Sequence, residues 1–112
     1  VTTKHNYQIL LPALHNDGVR NYEEARRDFA KRCIDLAGGV TEMPSVQGAY
    51  KMTEGQIQRE LIFPVQVIAD GKIIELLTND AFDLFPDQEA FAITDLGPSR
   101  IVERAGRDLT LA

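Results

Sequence analysis

Tyr50, Arg59 and Glu60 are the residues of this chain whose types and spacing come nearest to a chemical group. On adjoining arms of an expected hairpin, the Tyr50 hydroxyl and the Glu60 carboxylate could share a hydrogen bond or flank a small ligand. A carboxylate on a half-apolar sheet face could have a raised pKa and act as acid or base. The competing reading is that Glu60 pairs across strands or sits at a subunit contact. Gln66, further along the same strand, joins them as a candidate pocket or interface residue.

Other chemistry-bearing residues give less. His15 and Asp17 make a His-x-Asp, and His5 or Asp95 can be imagined as a third ligand, but no spacing requires a metal. A solvated turn is the expectation there, with no metal site and no cofactor. Cys33 falls on the apolar stripe of a helix, where a thiol packs and does not attack. Gly38-Gly39 ends a helix, whereas a phosphate loop begins one. Ser45 and Ser99 lie beside prolines in turns, and no histidine is paired with either in sequence.

The elements that must position these residues centre on Gln56–Asp70, the longest strand-like run. Leu61, Phe63, Val65, Val67 and Ala69 alternate on one face, with Glu60, Ile62, Gln66 and Ile68 on the other,. Pro64 interrupts this run. The expected resolution is a bulge or a change of partner there: 56–62 pairs back along a hairpin closed by Thr53-Glu54-Gly55, and Val65–Ala69 pairs with the first strand, Tyr7–Leu14.

Between them a helix is expected from Asn21, with Glu24 at the capping-box position. Its apolar stripe is Tyr22, Ala25, Phe29, Cys33, Leu36 and Ala37, and Gly38 stops it. Asp70-Gly71 is ambiguous, because Asp-Gly between apolar runs also signals a hairpin. Ile73, Ile74, Leu77, Ala81, Leu84 and Phe85 keep helical spacing, which favours a helix from Gly71 to Phe85, stopped by Pro86. The alternative is a strand over Lys72–Leu77 and a brief helix capped by Thr78. Glu89–Leu96 reads as the last sheet strand, followed by an extended 99–103 and a tail that either frays or closes a terminal hairpin over 108–111.

The order is ferredoxin-like: an α+β domain spanning residues 1–112, with a β-α-β-β-α-β antiparallel sheet and two helices on one face. A content of 44% hydrophobic and 26% charged residues is globular,. A net charge of −5 opposes a phosphate-binding surface, so no nucleic-acid partner is expected,. No apolar run approaches the ~20 residues of a membrane span. One cysteine fits a reducing compartment, and a cytoplasmic protein is expected,.

Gly38-Gly39-Val40-Thr41, then Gln47-Gly48-Ala49-Tyr50, Glu60 and Phe85-Pro86-Asp87-Gln88-Glu89, come in an order that resembles a family of small bacterial proteins with Gly-Gly-x-Thr, Gly-x-aromatic and Phe-x-Gln-Glu signatures. The resemblance implies the same α+β topology and no assigned activity.

Two functions remain. One is a binding or interaction module that self-associates as a homodimer through an open sheet face carrying Leu10, Leu14, Ile62 and Ile68, with Glu60 and Gln66 at its rim. The other is a small dimeric enzyme, of isomerase or cofactor-independent oxygenase type, with a pocket near Glu60 and Tyr50. A fold-back of the 99–111 segment is the rival covering for the sheet.

Overall fold

The computed structural model describes residues 3–51 and 53–106. Its elements run β1 His5–Pro12, α1 Glu23–Ala37, β2 Thr41–Glu42, β3 Val46–Lys51, β4 Ile57–Ala69, α2 Gly71–Leu84 and β5 Ile93–Pro98. The five strands form one antiparallel sheet in the order β2-β4-β1-β5, with β3 also paired to β4. Both helices cover one face, as the ferredoxin-like reading requires. Ile9, Leu11, Val65 and Val67 meet Phe29 and Cys33 of α1 and Leu77 and Ala81 of α2 in the core.

β4 organises the sheet because it holds three partners. Residues 62–69 pair with β1, residues 57–62 pair with β3, and Val65 and Gln66 pair with β2. The strand passes through Pro64 without breaking, and the change of partner explains how. The Pro64 carbonyl accepts from the Met43 amide at 3.0 Å. The backbone N and carbonyl of a strand residue point to the same edge, so the missing N–H of Pro64 also faces that side. It faces Met43, just past the end of β2 and before β3 begins, so the bond the ladder forgoes is the reciprocal one to the Met43 carbonyl, at the fringe of both pairings,.

The helices begin differently from expectation. α1 starts at Glu23, with Tyr22 at the cap position and no side-chain cap from it. Asn21 Oδ1 does accept the Glu23 amide at 3.1 Å, two residues on, but Glu24 makes no reciprocal bond. The Tyr22 ring, 3% exposed, fixes the helix start by docking in the core. Gly38, with φ of 90°, supplies the left-handed stop,. For α2 the ambiguity resolves to a helix: Asp70 caps it, accepting the Ile73 amide at 2.8 Å,. Thr78 caps nothing and instead bonds the Ile74 carbonyl within the helix.

The last strand lies later than Glu89–Leu96. Phe91 packs edge-on to Phe82 and Phe85, with ring centroids 5.0 and 5.7 Å away, and the chain joins the sheet from Ala92, whose carbonyl accepts from the Leu10 amide at 3.1 Å. The expected hairpin over 108–111 falls outside the described residues.

Candidate functional site

β3 and residues 57–60 of β4 extend beyond β1, whose continuation makes its last bond to this strand from the Ala13 amide to the Leu61 carbonyl, so among the described residues no other strand or helix of the sheet body flanks them. Within that hairpin Gly48 stands opposite Glu60, Val46 opposite Ile62 and Tyr50 opposite Gln58. Opposed residues point to one face, so Tyr50, Glu60 and Ile62 share the face away from the helices. Gly48 lets them close up. A Cβ there would lie 2.6 Å from Ile62 Cδ1 and 2.8 Å from the Tyr50 hydroxyl oxygen.

The structure brings Tyr50 and Glu60 together along one open cleft of about 370 Å³, with Leu10, Pro12, Ile62 and Gln88 among its other walls. Arg59 does not join them. It alternates to the opposite face, opposite Ala49, and lines a second cleft with Leu14, His15 and Leu61, which Glu60 also borders and Tyr50 does not. Glu60 is exposed and makes no hydrogen bond among the described residues, so it has neither the dry surroundings nor the orienting partner that acid–base work needs,.

The expected apolar patch on the open face is corrected in three ways. Ile62 is only 4% exposed, covered where Tyr50 leans over Gly48. Leu14 follows β1 and bridges Asn21, so it belongs with the loop and not with Leu10 and Ile68. Gln66 lies in the middle of the face and not at a rim. Its amide donates to Gln8 Oε1, and its Oε1 accepts from Asn6 Nδ2, both at 3.2 Å. This polar row divides Leu10 and Ile62 from Ile68. Ile101 lines a small cavity beside Asn6, Gln66 and Ile68, so the segment after β5 reaches part of the face.

A second constellation has no counterpart in the sequence reading. The Tyr22 hydroxyl donates to Asp87 Oδ1. Asp87 Oδ2 accepts the Asn16 amide at 2.7 Å and lies 3.3 Å from His15 Nδ1. The His15 and Tyr22 rings stack with centroids 3.6 Å apart, and Gln88 Nε2 donates to Asn16 Oδ1 at 3.1 Å. Burial works to raise the Asp87 pKa, but donors from Tyr22, Asn16 and Gln88 outweigh it and hold the carboxyl below its usual range,. Burial, with the bond to Asp87, pushes the Tyr22 phenol up to about 12. The Phe85–Glu89 motif thus clamps the β1–α1 turn. Only its clustering of polar residues hints at this in the sequence.

His15 and Asp17 do not act together. Asp17 accepts the Val19 and Arg20 amides and pairs with the Arg20 guanidinium at 2.6 Å, which closes the turn. His5 and Asp95 pair with each other, at 2.8 Å between β1 and β5. Among the described residues no group of three or more His, Cys, Asp or Glu could hold a metal ion, and no helix is long and apolar enough to cross a membrane.

No family model matches the chain, and no curated protein does. Solved structures do share its fold. The divalent cation tolerance protein CutA1 from Thermus thermophilus is 20% identical, with 84% of this chain and 82% of that one aligned at a TM-score of 0.65. CutA1 from Oryza sativa is 16% identical over 91% of this chain and 84% of its own, with a TM-score of 0.67. The periplasmic divalent cation tolerance protein CutA from Archaeoglobus fulgidus is 15% identical over 91% and 90%, at 0.66. These likenesses establish the ferredoxin-like fold.

Proposed function

We propose that this protein is a binding module that self-associates through the β3–β4 hairpin, forming a cytoplasmic homodimer. The observation that carries the reading is the exposure of large apolar side chains on both faces of that hairpin. Val46 and Tyr50 on one face, and Ile57 and Leu61 on the other, are between 44% and 66% exposed. A two-stranded hairpin is marginal in water without a further strand or a packed layer. Exposed apolar groups on both faces of such a ribbon call for a partner. Its outer edges also carry unpaired backbone donors and acceptors.

A second copy of the chain supplies matching edges and faces, and a twofold pairing covers both hairpins at once. The cleft at Tyr50 and Glu60 then lies beside the contact, with Leu10 and Ile62 as its floor. Ile68 and Leu14 stand outside it. Divalent cations, which the names of two of these neighbours mention, find no donor set of three among the described residues, so association and not metal binding carries the reading. The buried free thiol of Cys33 accords with a reducing compartment,.

Sedimentation equilibrium of the wild type and of Ile57→Lys tests this. The expected result is a wild-type dimer and an Ile57→Lys monomer with unchanged circular dichroism. A larger closed ring would keep self-association and overturn the twofold arrangement. A wild-type monomer at high micromolar concentration would overturn the proposal.

A further inference from the structure

On the helix side of the sheet, between the start of α1 and β2, lies a cleft of about 390 Å³ with Leu11, Met43, Phe63, Pro64 and Val65 among its walls. Of the two arginines that line it, Arg26 is the one held in place by the β1 end and the Phe63 ring. Its Nη1 donates to the carbonyls of Pro12 and Ala13 at 3.1 and 3.0 Å. Its guanidinium carbon lies 4.0 Å from the Phe63 ring centroid, a cation–π contact.

Arg20, Arg27 and Arg32 each pair with a carboxylate, at 2.6, 3.4 and 3.2 Å. Arg26 has no carboxylate within ion-pair distance among the described residues. Two of its five N–H donors are used, and the Nε and Nη2 edge makes no bond within the same set. Burial lowers its pKa, and the nearby Glu23 carboxylate offsets this only in part,. A guanidinium fixed by its neighbours, half-buried and with no carboxylate bonded to its open edge, is preorganised for one, because the ordering cost is already met.

The surroundings narrow the ligand. The apolar walls suit an aliphatic or aromatic body. Glu23, Arg27 and Glu42 also line the cleft. Glu23 pairs with Arg27 and also acts at longer range on Arg26, whereas Glu42 makes no ion pair among the described residues and opposes a second negative charge. We propose that this cleft binds a small monocarboxylate with an apolar body, its carboxylate on the open edge of Arg26 and its body against Phe63, Leu11 and Met43.

An amide-resolved NMR titration with hexanoate, hexanol and adipate tests this on the whole chain. Hexanoate is expected to give saturable shifts at Leu11, Met43, Phe63 and Val65. Hexanol should bind about tenfold or more weakly, the loss typical of a charged hydrogen bond, and the dianion adipate should also bind more weakly. Arg26→Lys should weaken hexanoate by about tenfold, since Lys cannot reproduce the fork. Arg26 also ties α1 to β1, so Glu42→Gln, at an exposed position, provides a second variant. It should raise the affinity for adipate relative to hexanoate. Either of two results would overturn the proposal: no saturable shift at millimolar hexanoate, or equal binding of hexanol.

Discussion

The Tyr22 hydroxyl donates its hydrogen bond to the Asp87 carboxylate across 65 positions of sequence. That bond ties the first residue before α1 to the turn after α2, at the end of the helical layer opposite Gly38. Around it, His15 stacks on the Tyr22 ring and Phe85 meets the same ring edge-on at 4.8 Å. One aromatic side chain therefore joins the core to a polar clamp.

Tyr22→Phe should keep the fold and lower stability by about 1–2 kcal/mol, the cost of removing a charged hydrogen bond from a partly buried acceptor. Urea denaturation reads this directly. A loss too small to measure would mean that the Asn16 and Gln88 donors hold Asp87 unaided.

At alkaline pH the same tyrosine should stand apart. Its phenol is pushed up to about 12, so it contributes stability below the ordinary tyrosine value near 10 and loses it as pH rises through about 12. Ultraviolet titration of the chain's three tyrosines should show a late step that disappears in Tyr22→Phe.

At acid pH the sign reverses. Asp95 is held below the usual carboxylate range by the bond from His5, then by the Gly97 amide; Asp87 is held low by the donors around it. Carboxylates with lowered folded values stabilise above the ordinary value near ~3.9, and that contribution fades as pH falls through the folded values. Melting temperature should drop below about pH 4, and Asp87→Asn should make the drop shallower. An unchanged slope in that variant counts against the clamp.

Cys33 is fully buried, and burial raises its thiol to about 12. It should resist iodoacetamide at pH 8 in the folded protein and react once urea unfolds the chain. Fast labelling of the native state would show that α1 opens away from the sheet.

Gly48→Ala should cost about 1 kcal/mol, because the atoms nearest the added methyl are the tips of Ile62 and Tyr50, which can swing aside,. The ring must move outward, so Tyr50 should gain exposure. NMR shifts at Tyr50 and Ile62, without wider change, are the expected readout.

The sequence exposes the fold wherever local periodicity dictates it. The stripe Phe29–Cys33 and the alternation Val65–Val67–Ala69 require a helix on a sheet, and Pro64 marks where β4 changes partner. Of the candidate site, the sequence makes legible that Tyr50 and Glu60 share a face, because the hairpin loop between them sets the register. Adjacency groups Arg59 with them, yet neighbours in a strand point to opposite faces. Proximity in sequence matches His15 with Asp17, whereas its partner is Asp87, and no local pattern records a contact made by the packing of two loops. Gln66 reads as a rim residue because sequence does not reveal that Asn6 and Gln8 of β1 flank it.

β4 is a single strand of 13 residues, about 43 Å long at ~3.3 Å per residue, and its two halves live in different environments. From Ile62 to Ala69 its amides belong to the interior of a sheet backed by two helices. From Ile57 to Glu60 it has the ribbon alone, the Leu61 carbonyl still accepting from the Ala13 amide at 3.2 Å. The unit of cooperative opening therefore need not be the strand. Hydrogen exchange should change steeply near Ile62, slow on one side and fast on the other, so that the ribbon frays and re-forms many times while the rest of the same strand stays closed.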